Sequence, residues 1–110
     1  DGVTVANAVN PDTLLKKMGG NLIKEVANAT AFEAGDGTTS ATILSQGLIC
    51  DGIRMLDVEG INPMEVKVGM EKAAKICSEY IKSIANPIDV NSDQLIQIAS
   101  ISANNDLAIG

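Results

Sequence analysis

The stretch Ala34-Gly35-Asp36-Gly37-Thr38-Thr39-Ser40 constrains this chain more than any other. It stands between two long segments whose apolar residues recur at helical spacing, so it has to turn one helix into another. Gly35 and Gly37 lack a Cβ, so the backbone there can take φ > 0 and come close to a ligand. Thr38, Thr39 and Ser40 then fall in the first turn of the next helix. Amides in that turn have no intrahelical acceptor and the helix dipole is positive there, which suits a phosphate. Asp36 is an odd neighbour for a phosphate unless a hard cation lies between them. Mg²⁺ fills that role, taking a carboxylate oxygen together with phosphate oxygens and waters. The residues therefore point to a Mg-nucleotide site.

Other uses of the same residues stay open. Gly-Asp-Gly-Thr is an ordinary way to stop one helix and cap the next, as a non-catalytic helical interaction module would use it. The Asp-Gly-Thr run also suits an aspartate nucleophile that becomes phosphorylated. The stretch is not a Walker A loop, because no lysine follows Gly37. Nor is it G-x-G-x-x-G, because Ser40 holds the place of the third glycine.

Composition removes several function classes. The 110 residues carry 8 basic and 14 acidic side chains, a net charge of −6, so no basic stripe is available for a nucleic-acid partner. No apolar run reaches the roughly 18 residues a membrane span needs. Histidine is absent, which removes His-based acid–base chemistry, Ser-His-Asp triads and most zinc sites. Cys50 and Cys77 are far apart and sit among apolar residues, which predicts buried free thiols in a reducing compartment, with a disulfide between them as the lesser alternative. With no Trp, one Phe and one Tyr, any core is aliphatic. No leader peptide is visible, and the start on Asp1 and stop on Gly110 suggest a piece of a longer chain, one domain or part of one.

Along the chain, Val3 and Val5 alternate with Thr4 after the Asp1-Gly2 turn signal, which predicts a short extended arm. Asn10-Pro11 predicts a helix start, and Leu15, Met18, Leu22, Val26 and Ala29 share a face of that helix, which ends near Gly35. Lys16, Lys17, Lys24 and Glu25 fall on its solvated side, and Gly19-Gly20 marks close packing. The next helix, from about Thr38 to Leu56, is apolar most of the way round and carries no charge between Asp36 and Asp51, the pattern of a central, buried helix. Asn62-Pro63-Met64-Glu65 opens a third helix with Val66, Met70, Ala73, Cys77, Tyr80 and Ile84 as its stripe. Asn86-Pro87 breaks it. Asn91-Ser92-Asp93-Gln94 caps a short helix with Leu95, Ile98 and Ala99 inward, and a polar, turn-like Ile101–Asp106 follows.

Four blocks resemble one family in order and spacing. They are Asp1-Gly2-Val3-Thr4-Val5-Ala6, Ala34 to Thr42, Gly60-Ile61-Asn62-Pro63-Met64 and Ile101-Ser102-Ala103-Asn104. Together they resemble the chaperonins, group I (the GroEL type), along nearly all of the chain. The resemblance implies a mainly α fold, with residues 1–82 in the equatorial ATP-binding domain and 83–110 opening the intermediate domain. It implies ATP and Mg²⁺ as cofactors, Asp36 as the Mg²⁺ ligand, and Gly37, Thr38, Thr39 and Ser40 as the phosphate cradle. Asp1 matches an acid close to the γ-phosphate, implicated in hydrolysis. Ser40 stands where Thr is more usual and keeps the hydroxyl. The implied activity is ATP hydrolysis by positioning and charge neutralisation, coupled to protein folding. The implied partners are unfolded client proteins, a co-chaperonin lid and identical subunits in stacked seven-membered rings. The implied compartment is the bacterial cytoplasm or an organellar matrix.

Overall fold

The computed structural model describes residues 2–109, which form five helices and no strand. In chain order these are α1 (Gly2–Ala8), α2 (Leu14–Ala34), α3 (Thr38–Asp57), α4 (Pro63–Ile84) and α5 (Asp93–Ser102). The mainly α expectation holds for the described residues. The chain divides into two compact units, Asp1–Val66 and Lys67–Gly110.

In the first unit, α1, α2 and α3 pack on one another pairwise. The extended arm expected at the N-terminus is instead α1. Its β-branched residues favour strands only where a sheet exists to receive them, and here the segment packs against two helices. Gly2, Val5, Ala6 and Val9 stand at i, i+3, i+4 and i+7 and all line the groove that α1 makes with α2 and α3.

The start of α2 also differs from the expectation. Pro11 precedes the helix and its ring lies 3.4 Å from where a Cβ on Gly20 would sit. Thr13 is the N-cap, extended at φ −111°, and its side chain accepts from the Lys16 amide at 3.4 Å. The stripe of α2 that turns inward is Gly20, Ile23, Lys24 and Ala27; of the expected Leu15–Ala29 set, Val26 alone is half-buried. Ala27 is fully buried, whereas Leu15, Met18 and Leu22 are exposed. Small residues win this face because they let the neighbouring helices approach. Lys24, expected on the wet side, lines the groove and is half-buried.

α3 runs as expected in length but not in burial. Thr38 and Gly52 are its buried residues, and Ile43, Leu44, Leu48, Ile49 and Ile53 are exposed. α4 begins as the Asn62-Pro63 signature predicts, with Asn62 Oδ1 accepting from the Met64 amide at 2.9 Å. In the second unit, the α4 stripe from Ala73 through Ile84 is exposed. Cys50 on α3 and Cys77 on α4 are free, as expected, but exposed rather than buried, because they lie on those uncovered faces. α5 buries Ser100, while Leu95 and Ile98 remain exposed. The Ile101–Asp106 stretch is helical to Ser102. It then turns through Asn104 and Asn105, both at positive φ, and the Asn105 amide donates to the Ser100 carbonyl at 2.7 Å.

Candidate functional site

The site is the corner between α2 and α3. α2 ends in a left-handed cap at Gly35 (φ 74°), whose amide donates to the Ala31 carbonyl at 3.1 Å. Gly37 (φ 82°) is the residue before α3. A Cβ on either glycine would meet nothing within 4 Å, so glycine is required for conformation and not for room. Gly37 occupies the N-cap position and brings no side chain to the amides of the α3 first turn, where Ser, Thr, Asn or Asp is the rule.

Asp36 is exposed. Its Oδ1 accepts from the Gly37 amide at 2.7 Å, so the carboxylate is drawn toward the head of α3 rather than away from it. Thr38 is buried, at 5 % exposure, and its Oγ1 accepts from the Val3 amide at 3.2 Å. Its carbonyl accepts from the Thr42 hydroxyl at 2.8 Å. Thr39 and Ser40 are exposed. Chain connectivity and the two glycines thus gather Asp36, Gly37, Thr38, Thr39 and Ser40 at one helix end. Asp1, the remaining candidate, lies outside the described residues.

The first turn of α1 sits directly on this helix end. A Cβ on Gly2 would fall 2.5 Å from both the amide nitrogen and Oγ1 of Thr39. Beside that contact runs an apolar groove of about 480 Å³, lined by α1, α2 and α3 residues including Val5, Ile23 and Ile43. The far end of α1 is tied to α2 by a reciprocal amide pair. Asn7 Nδ2 donates to Asn28 Oδ1 at 3.2 Å, and Asn28 Nδ2 donates to Asn7 Oδ1 at 3.3 Å. Sequence reasoning gave none of these α1 contacts a role. The signal present was the Gly2-Val5-Ala6-Val9 spacing, which the Val3/Val5 alternation obscured.

The donor set fits a magnesium nucleotide. Among the described residues no cluster of three His, Cys, Asp or Glu side chains could hold a metal ion by itself. That excludes a structural-zinc type of cage built from them. Mg²⁺ needs no such cage, because it takes one or two carboxylates and completes its shell with phosphate and water oxygens. One exposed carboxylate beside a helix N-terminus that begins on glycine and carries exposed hydroxyls is such a donor set. No helix among the described residues is long and apolar enough to cross a membrane. The sequence model of the TCP-1/cpn60 chaperonin family matches residues 1–109.

Proposed function

The chain belongs to the TCP-1/cpn60 chaperonin family, and from that premise we propose that it is the ATP-binding part of a group I chaperonin subunit, with its nucleotide seated at the head of α3. Members of the family are Mg-ATP-using ATPases and ATP-dependent folding chaperones, and they assemble as rings that bind client proteins. The finer assignment is ours. Residues 1–82 belong to the equatorial domain and 83–110 open the intermediate domain. The working assembly is a double ring of seven subunits each, closed by a co-chaperonin lid, in a bacterial cytoplasm or organellar matrix.

The observation that carries this proposal is the left-handed Gly37 at the head of α3, which brings no side chain of its own there, with the Asp36 carboxylate accepting from the Gly37 amide. Bound Mg²⁺ would neutralise charge on the phosphate oxygens. Asp36 is the side chain that would hold it. The Thr39 and Ser40 hydroxyls, with the backbone of Gly37 and Thr38, would cradle the phosphates. Two left-handed glycines let this cradle form without a side chain in the way. Asp1 is the acid that the family resemblance places close to the γ-phosphate and implicates in hydrolysis. The chemistry asked of the protein is positioning in a fixed electrostatic frame, which suits a loop locked between two helices.

Asp36→Ala tests the assignment. Losing a charged ligand should weaken Mg-ATP binding by about 100-fold, in line with roughly 3 kcal/mol for a charge-assisted contact. Isothermal titration calorimetry of the whole protein measures it. Unchanged affinity would remove Asp36 and its loop from the nucleotide site.

A further inference from the structure

We propose that α1 is the positioning element of the nucleotide site, with Gly2 as the residue that fixes Thr39 and the Asn7–Asn28 pair as the anchor that keeps α1 in place. The proposal rests on the nucleotide reading of the α3 head. It adds three residues to that reading, none of which touches the Asp36–Ser40 loop as a ligand.

Three contacts carry it. At its N-terminal end α1 presses on the α3 first turn so closely that a single methyl on Gly2 would meet the Thr39 backbone nitrogen and Cα at 2.5 and 2.6 Å. Real Cβ atoms do not approach backbone that closely, so an alanine there has to push Thr39 or lift α1. One residue on, the Val3 amide donates to Thr38 Oγ1 at 3.2 Å, and this hydroxyl is buried and fixed by that contact. At its C-terminal end α1 is held by the Asn7–Asn28 pair, in which each amide group is both donor and acceptor. A seven-residue helix is too short to persist by itself in water. It holds its place because both ends are tied. Releasing the Asn7 end therefore loosens the Gly2 end, and with it the two threonines of the phosphate cradle.

The mechanical consequence is specific. Displacing the cradle changes how well phosphate is held and aligned. A misplacement of about 1 Å can cost on the order of 100-fold in rate. Gly2→Ala should therefore lower kcat/KM for ATP by about 10- to 100-fold. Asn7→Ala and Asn28→Ala should each lower it by a smaller factor, with the loss mainly in KM. The double variant should lose no more than either single variant, because the pair acts as one unit. Replacing the amide pair with an ion pair, Asn7→Asp with Asn28→Lys, should restore KM.

The experiment uses the whole protein and two readouts. Hydrogen exchange of the segment 2–9 without nucleotide reports whether α1 is seated. Calorimetric Mg-ATP affinity and ATPase kinetics report the site. Faster exchange together with raised KM in Gly2→Ala and Asn7→Ala supports the proposal. Faster exchange with unchanged affinity and kinetics overturns it and leaves the nucleotide reading intact. Unchanged exchange in Asn7→Ala also overturns it, since the anchor would then hold nothing; that variant keeps the test open if Gly2→Ala fails to fold. If Asp36→Ala leaves affinity unaltered, or the unsubstituted protein does not bind Mg-ATP, the nucleotide reading falls and takes this proposal with it.

Discussion

The heads of α3 and α4 make an instructive pair. α4 has the strongest local start signal in the chain, and the structure realises it, with Asn62 capping the Met64 amide. α3 instead has a left-handed glycine at its N-cap, which can make no side-chain cap bond. Yet α3's first turn is the one with a buried side chain, Thr38, and another helix pressed on it, while the α4 stripe beyond Met70 lies open. Local capping decides where a helix begins. It does not decide what is packed on it. The helix end that begins on glycine is the one against which another helix is pressed.

Thr38→Val should have the largest effect on stability, and it attacks the packed side of this comparison. Valine keeps the shape of threonine but removes the oxygen that accepts from the Val3 amide. Removing one partner at a site this buried costs about 1–3 kcal/mol. Urea unfolding should show the loss, and hydrogen exchange of the segment 2–9 should show where it falls. A change below the error of the titration would mean that α1 is held by its apolar contacts alone.

What could be read from sequence divides along the same line. The two-glycine corner, the span of α3 and the start of α4 were legible, because they depend on φ > 0, periodicity and capping within a few residues. The start of α2 was not, because Pro11 is spent on packing against Gly20 and Thr13 takes the cap. α1 reads as extended in the sequence because Val3 and Val5 favour strands, while the contacts that make it a helix come from residues more than twenty positions away. The buried face of α2 differs from the sequence stripe for a related reason. Large apolar residues mark a stripe in the sequence, but Ala27 and Gly20 on the opposite stripe permit closer approach. At the α2–α3 corner, the turn through Gly35 and Gly37 is legible in the sequence. The contacts of Gly2 and Val3 with Thr39 and Thr38, and the Asn7–Asn28 pair, are not.

Asn62→Ala should have a middling effect. It removes the cap bond to the Met64 amide, and such losses cost about 1 kcal/mol. The effect should appear as fraying at the start of α4 by circular dichroism and hydrogen exchange, with Mg-ATP affinity untouched. An effect on affinity would couple the α4 head to the α3 head and blur the contrast drawn between them.

Ile76→Ala should do least, and it is the sharpest check on the open face of α4. Ile76 is 66 % exposed, so truncating it removes little apolar surface from a packed environment. Surface changes of this kind stay within about 0.5 kcal/mol. Alanine is also the better helix former, by a few tenths of a kcal/mol, so the two terms nearly cancel or favour the variant slightly. Thermal unfolding of this chain should therefore show no loss. The same substitution at a truly buried isoleucine costs about 2–5 kcal/mol, because a cavity is left behind. Measured in the ring assembly, a loss of that size would show that another surface covers this face there. The contrast between a packed α3 head and an open α4 stripe would then belong to the isolated chain and not to the working protein.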